Sequence, residues 1–180
     1  TCVGMIIDEL KRQGIYENTF IIFTSDHGEM LGSHSLWQKM CMYEESIHIP
    51  LYIKFPEWYE PEVKESNELV SAVDILPTLC DFLEIDKPDV LSGLSLMPVI
   101  EGSELDRDEI FIQFDGNGAR SNFQRCIIKG DYKLIVDIFK DEVYLELYNV
   151  INDNQETNNL AFESQYSKLI KEMLNHLISH

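Results

Sequence analysis

Asp26 and His27 stand side by side where an apolar run, Thr19-Phe20-Ile21-Ile22-Phe23-Thr24, turns abruptly polar, and they are the residues best placed to do chemistry. An aspartate offers hard oxygen donors that suit Ca²⁺, Mg²⁺ or Mn²⁺, while an imidazole shifts preference towards transition metals. Neighbours in an extended segment point to opposite sides, so both can face one ligand only if the chain bends, and Ser25 and Gly28 allow that bend. Two ligands do not make a site: Asp26 as a helix cap and His27 as a packed residue stay open as alternatives. Further along, Gly32, His34 and Lys39 lie in a loop polar enough to contour around an anion. Lys39 carries a compact positive charge able to hold a sulfate or phosphate oxygen, and His34 could donate a proton to a leaving group. A solvated lysine and a structural histidine are the plainer alternatives.

The elements that must position these residues follow from periodicity. Val3, Ile6, Ile7 and Leu10 share one helical face and Gly14 is placed to end that helix. Thr19–Thr24 then reads as a strand buried on both faces, which predicts an α/β unit with a parallel sheet and a ligand crevice beyond the strand's carboxyl end. Residues 47–55 suggest a further strand with Pro50 at its start or on an edge. Leu69–Val73 suggests a short strand, and Asp74 an N-cap for a helix with Pro77 in its first turn. Lys87–Gly102 is a loop holding one helical turn. From Glu109 the texture changes to strands without intervening helices, over 110–114, 125–139 and 144–150, with a tight turn at Gly130-Asp131; this predicts an antiparallel sheet. Ser167–Leu177 closes the chain as an amphipathic helix with Leu169, Ile170, Met173, Leu174 and Leu177 inward.

With 44% apolar residues among 180, the chain can bury a core as one domain or a domain plus a small appendage. The formal charge of −18 argues against nucleic acid and anionic lipid as partners. No apolar run reaches the roughly 20 residues of a membrane span. The four cysteines, Cys2, Cys41, Cys80 and Cys126, have no zinc-site or redox spacing and read as free thiols, with a disulfide between two of them left open. No signal-peptide pattern opens the chain, and the compartment is left unassigned.

The run from Asn18 to Lys39, followed by Met42-Tyr43-Glu44-Glu45 and Ile49-Pro50-Leu51, resembles the second half of the sulfatase family of the alkaline phosphatase superfamily. The resemblance continues through Val73-Asp74-Ile75-Leu76-Pro77-Thr78-Leu79 and Leu91-Ser92-Gly93-Leu94-Ser95-Leu96. It extends to Lys129-Gly130-Asp131-Tyr132-Lys133-Leu134-Ile135, Glu146-Leu147-Tyr148-Asn149 and Glu156-Thr157-Asn158-Asn159-Leu160-Ala161. It covers nearly all of the chain. The fold it implies is α/β: the trailing part of an alkaline-phosphatase-like sandwich over residues 1–107, with a small C-terminal antiparallel sheet packed by one helix over 108–180.

By position, the resemblance implies that Asp26 and His27 are two ligands of a divalent cation, Ca²⁺ in most sulfatases, with Mn²⁺ or Zn²⁺ as alternatives. It implies that Lys39 binds the sulfate and that His34 lines the pocket, making these two the candidate catalytic residues. The family's nucleophile is a formylglycine made from Cys or Ser in a C/S-x-P-x-R motif. No Cys or Ser here is followed two places later by Pro. The expectation is therefore a C-terminal fragment of a sulfatase, inactive alone, whose parent hydrolyses a small-molecule or saccharide sulfate ester and whose uncovered surfaces favour a homo-oligomer. A phosphodiesterase or phosphonate monoester hydrolase of the same superfamily is the rival enzyme, and a non-catalytic binding module the rival of another class. Glu44, Glu45 and Arg120 are read as surface residues first and substrate contacts second.

Overall fold

A computed structural model describes residues 1–116 and 122–180, so Arg120 lies outside the described residues. The chain divides into two compact units, one of Thr1–Asp26 with Ile49–Leu105 and the other of His27–His48 with Asp106–His180.

In the first unit, helix α1 (Cys2–Arg12) starts at Thr1, whose hydroxyl accepts the Gly4 N–H, and the chain leaves it through Gly14 at a φ of +70°. The predicted apolar face is there, but Val3 and Ile6 are exposed and no residue of α1 is buried. Strand β1 (Ile21–Thr24) pairs antiparallel with β2 (Leu51–Lys54), Ile21 opposite Lys54 and Thr24 opposite Leu51. This corrects the expected parallel pairing, and Phe23 and Thr24 are exposed rather than buried on both faces. An apolar run fixes strand character but not the partner's direction. No long crossover helix joins these strands, only a 26-residue link with the four-residue helix α2 (Glu44–Ile47), so the return is antiparallel.

The expected strand over Leu69–Val73 is also replaced. Ser71 opens a 3₁₀ turn, Ala72–Asp74, in a capping box: Ser71 accepts the Asp74 N–H, and the Asp74 carboxylate accepts the Ser71 N–H at 2.7 Å. Asp74 stands at the N-cap position of the helix that follows, α3 (Ile75–Phe82), as expected, but its buried carboxylate makes no cap hydrogen bond there; it also accepts the Leu94 N–H at 2.9 Å and so ties two loops together. One turn into α3, Thr78 donates to the Asp74 carbonyl at 2.6 Å and accepts from Leu96 N–H at 2.8 Å. The short helix α4 (Met97–Ile100) then buries Met97 and Val99.

The second unit is built on one antiparallel sheet in sequential order, β3 (Glu109–Phe114), β4 (Asn122–Lys129), β5 (Tyr132–Phe139) and β6 (Glu142–Asn149). Gly130, at a φ of +54°, takes the first position of the two-residue turn between β4 and β5, where glycine is needed. Alternation along the strands sends Ile127, Leu134, Val136 and Leu147 to one face, where Leu160 and Ile170 and Met173 of helix α5 (Ser167–Ser179) complete a continuous core. Leu169, Leu174 and Leu177 pack against the same core, as the helical spacing predicts. The opposite face carries Cys126, Ile135 and Tyr148, and Met42 packs there.

All four cysteines are free. Burial pushes the Cys126 thiol up to about 12, so it stays protonated and unreactive. No helix among the described residues is long and apolar enough to cross a membrane.

Candidate active site

Beyond β1 the chain turns polar at Ser25, and Asp26 is exposed. The boundary between the two compact units falls directly after it, so that His27 opens the second unit.

His27 is half-buried, and its Nδ1 lies 2.7 Å from the Gly28 carbonyl oxygen. A carbonyl only accepts, so Nδ1 carries the proton and Nε2 keeps its lone pair. Lys39 Nζ is hydrogen-bonded to that Nε2. Two of the residues singled out in the sequence are thus brought together, with the imidazole in the tautomer of a metal-ligating histidine whose other nitrogen is fixed by a backbone oxygen.

Gly28 is required by a close approach: its N–H donates to the Ser46 carbonyl at 2.8 Å, and a Cβ there would lie 2.0 Å from the Glu45 carbonyl oxygen. The Ser46 hydroxyl donates to the Lys39 carbonyl at 2.7 Å, so both ends of the loop are tied to α2.

Between them the backbone is strained. Leu31, His34, Ser35 and Gln38 all have positive φ, between 47° and 72°, although none is glycine. Each such residue costs on the order of 1–3 kcal/mol and persists only where its surroundings impose it. Met30, buried at the loop's base, donates its N–H to the Gln38 carbonyl, and Gly32 donates to Leu36.

His34 stacks on Tyr43, with ring centroids 4.0 Å apart and planes within 2°. The Tyr43 hydroxyl donates to Glu146 Oε2 at 2.9 Å, and Tyr148 donates to the same oxygen at 2.7 Å. Burial, reinforced by the Glu146 charge, holds the Tyr43 hydroxyl above its ordinary pKa.

Glu44 does not face solvent as a free carboxylate. Its Oε1 receives Lys133 Nζ at 2.7 Å, its Oε2 lies 2.8 Å from His48 Nδ1, and its N–H donates to Glu156 Oε2 at 2.7 Å. Burial raises its pKa, but Lys133 and His48 outweigh that and leave it below the ordinary carboxylate value. Lys133 is completely buried and also lies 2.5 Å from Glu156 Oε1; Glu156 is raised by burial, with Lys133 opposing.

Lys133, Glu146 and Glu156 fall within the motifs that carry the family resemblance, but type and spacing alone give none of them a role. Their sign was present in the sequence as charged residues inside otherwise apolar or extended segments.

Among the described residues no group of three or more His, Cys, Asp and Glu side chains is arranged to hold a metal ion. The residue types after β1, one carboxylate and one imidazole with a fixed Nδ1–H, are donors of the kind divalent cations accept.

Comparison with known proteins gives a consistent outcome. The family profile described as N-sulphoglucosamine sulphohydrolase, C-terminal, matches residues 32–180. The chain is similar to the uncharacterized sulfatase YidJ of Escherichia coli K12, 33% identical over 181 residues, covering 99% of this chain and 35% of that protein. It also superposes on the structure of BT4656 in complex with its substrate D-glucosamine-2-N,6-O-disulfate, with 30% identity, a TM-score of 0.81, and coverage of 98% of this chain and 37% of the other. The phosphonate monoester hydrolase of Agrobacterium radiobacter matches with 30% identity and a TM-score of 0.84, covering 98% and 37%. The chain spans about a third of the length of the curated relatives it matches.

Proposed function

Because the chain belongs to the family of the C-terminal region of N-sulphoglucosamine sulphohydrolase, a sulfatase family, we propose that it forms part of a sulfate-ester hydrolase acting on a sulfated saccharide or aryl sulfate. The observation that carries this reading is the Lys39 to His27 contact: an ammonium and an imidazole 12 positions apart are held together, with Nδ1–H of the imidazole fixed on a carbonyl.

Asp26 and His27 would hold a divalent cation, Ca²⁺ in this proposal, Lys39 giving up the lone pair of His27 Nε2 to it and turning to the anion; the cation would supply Lewis-acid polarisation of sulfate oxygens. Lys39 binds and orients the anion with its compact charge, and His34 delivers a proton to the leaving oxygen. Tyr43 limits the ring to one plane and so to one direction of delivery. The family's formylglycine has no matching motif in these 180 residues, and the 180 residues alone are expected to be inactive. Residues 1–107 are assigned in this proposal to the catalytic α/β domain and 108–180 to its C-terminal subdomain. The sulfated glucosamine bound by BT4656 makes an amino-sugar sulfate the first substrate to try.

A second reading, phosphonate or phosphodiester hydrolysis, is favoured by the Agrobacterium enzyme at equal identity. The test is a side-by-side assay of the full-length protein on an aryl sulfate, glucosamine-6-O-sulfate and a phosphonate monoester, with Ca²⁺ or chelator. Sulfate turnover that falls about 10²- to 10³-fold in Lys39→Ala and in Asp26→Ala is the expected result. Dominant phosphonate cleavage establishes the second reading. Undiminished turnover in both variants removes these residues from the site.

A further inference from the structure

The loop that carries His34 and Lys39 is in a conformation its own sequence does not favour. Four non-glycine residues between Leu31 and Gln38 occupy left-handed backbone, and the hydrogen bonds inside the loop are local. Something outside the loop must hold it. The residues directly after it make the connections. Tyr43 and Glu44 are bonded to Glu146, Lys133 and Glu156, which lie 89 to 112 positions further along the chain.

Two features mark these contacts as more than incidental surface pairing. Lys133 has no exposed surface, so its charge is fully desolvated, and it is compensated by Glu44 and Glu156 at 2.7 and 2.5 Å. Removing a well-packed charge triad in favour of apolar residues is commonly neutral or stabilising, so stability by itself gives little reason to keep one here. Glu156 is itself held at a φ of +52° while fully buried, so the C-terminal anchor is strained as well. Ordering a single conformation of the loop is the use that accounts for both costs.

We propose that Lys133, Glu156, Glu146 and Tyr43 are positioning residues: the sheet-borne ammonium and carboxylates latch Tyr43 and Glu44, and Tyr43 in turn fixes the ring plane of His34 and the loop leading to Lys39. This deepens the sulfatase reading and rests on it for the roles of His34 and Lys39. The latch itself is a statement about geometry. Lys133 orients Glu44 through one carboxylate oxygen while Glu156 holds the Glu44 N–H, which sets the start of α2. With that start fixed, the Tyr43 hydroxyl reaches Glu146 and the ring presents its face to His34. In this proposal the four act through Glu44, His34 and the loop rather than on the ester itself.

The test uses the full-length protein with ¹³C-labelled histidine. In the wild type the His34 ring protons, stacked on Tyr43, resonate upfield of an unstructured histidine. Lys133→Met and Glu146→Gln are expected to move the His34 signal towards the unstructured position. They should also lower kcat on the preferred ester about 10- to 100-fold, with KM changed far less. Lys129→Met, on the same sheet and paired with Asp108 and Glu109, is the control and leaves both readouts unchanged.

Should Lys133→Met fail to fold, Glu156→Gln and Tyr43→Phe, which keep shape and change one charge or one hydroxyl, carry the same readouts. The spectroscopic arm stands even if the protein turns over no sulfate ester, so failure of the latch and failure of the sulfatase reading are distinguishable. An unchanged His34 signal in folded Lys133→Met or Glu146→Gln overturns the latch.

Discussion

The two compact units hold themselves together in different ways. In the unit of Thr1–Asp26 and Ile49–Leu105, α3 and α4 bury small groups of residues, Leu96, Val99 and Leu105 among the unit's buried ones, beside a two-stranded sheet, while α1 buries none. Its joints are polar and local: the Asp74 carboxylate and the Thr78 hydroxyl each bridge two backbone segments. In the unit of His27–His48 and Asp106–His180, a four-stranded sheet and α5 enclose a continuous apolar core, and a second layer of buried charge lies on the sheet's other face. The difference teaches where the candidate site gets its rigidity. The segment that follows β1 in sequence is anchored a hundred positions later, on the part of the molecule with the stronger core.

The sharpest way to break that comparison is to remove a buried charge on one side and a buried cap on the other. Lys133→Ala leaves Glu156 and Glu44 without their cation and is expected to destabilise the second unit by about 3–5 kcal/mol, read as a lower denaturant midpoint. Asp74→Ala, which orphans the Ser71 and Leu94 N–H groups, is expected to cost the first unit about 2–3 kcal/mol. An Asp74 variant costlier than the Lys133 variant would reverse the ranking of the two units. Smaller still, Thr78→Val strips one partner from Leu96 N–H and should cost about 1–2 kcal/mol.

Acid provides a graded version of the same contrast. Glu44 has a lowered pKa in the folded protein, so it contributes stability that is present above its ordinary value of 4.5 and is lost as pH falls through the folded value. Glu156 is raised, so its own protonation acts in the opposite sense. Glu44→Gln is therefore expected to show less loss of stability on acidification below 4.5 than the wild type, in pH-jump unfolding curves. An equal or steeper loss would contradict the role given to the Lys133 pairing. The smallest effect concerns the turn between β5 and β6, where Lys140 sits at a φ of +57°; Lys140→Gly is expected to stabilise by at most about 1 kcal/mol.

Much of this architecture could be seen in the sequence because it is written locally. The alternation over 125–139, the turn glycine at 130 and the helical spacing from Leu169 to Leu177 each depend on neighbours a few residues apart, and each matches the structure. The direction of β2 against β1 depends on chain return, which the apolar run at Ile21–Thr24 does not encode. Ser71 and Asp74 carry a capping-box spacing, and that signal pointed to the turn that replaces the expected strand.

For the candidate site, Asp26, His27, His34 and Lys39 could be singled out by type, and their expected roles came from the resemblance. Their supports could not be, since Tyr43, Lys133, Glu146 and Glu156 are joined only by folding. A lysine in the middle of Tyr132–Ile135 is unremarkable until the sheet buries it opposite two glutamates.

Native-state hydrogen exchange on the full-length protein tests most directly the claim that the segment from His27 to His48 belongs energetically to the C-terminal sheet. The amides of Gly28, Glu44 and Ser46 are the reporters, since each donates within that unit. They are expected to open together with the amides of β4 and β5, and to lose protection in Lys133→Met while β1 and β2 keep theirs. If instead they exchange in step with β1 and are indifferent to Lys133, the loop belongs to the preceding strand and the account is wrong.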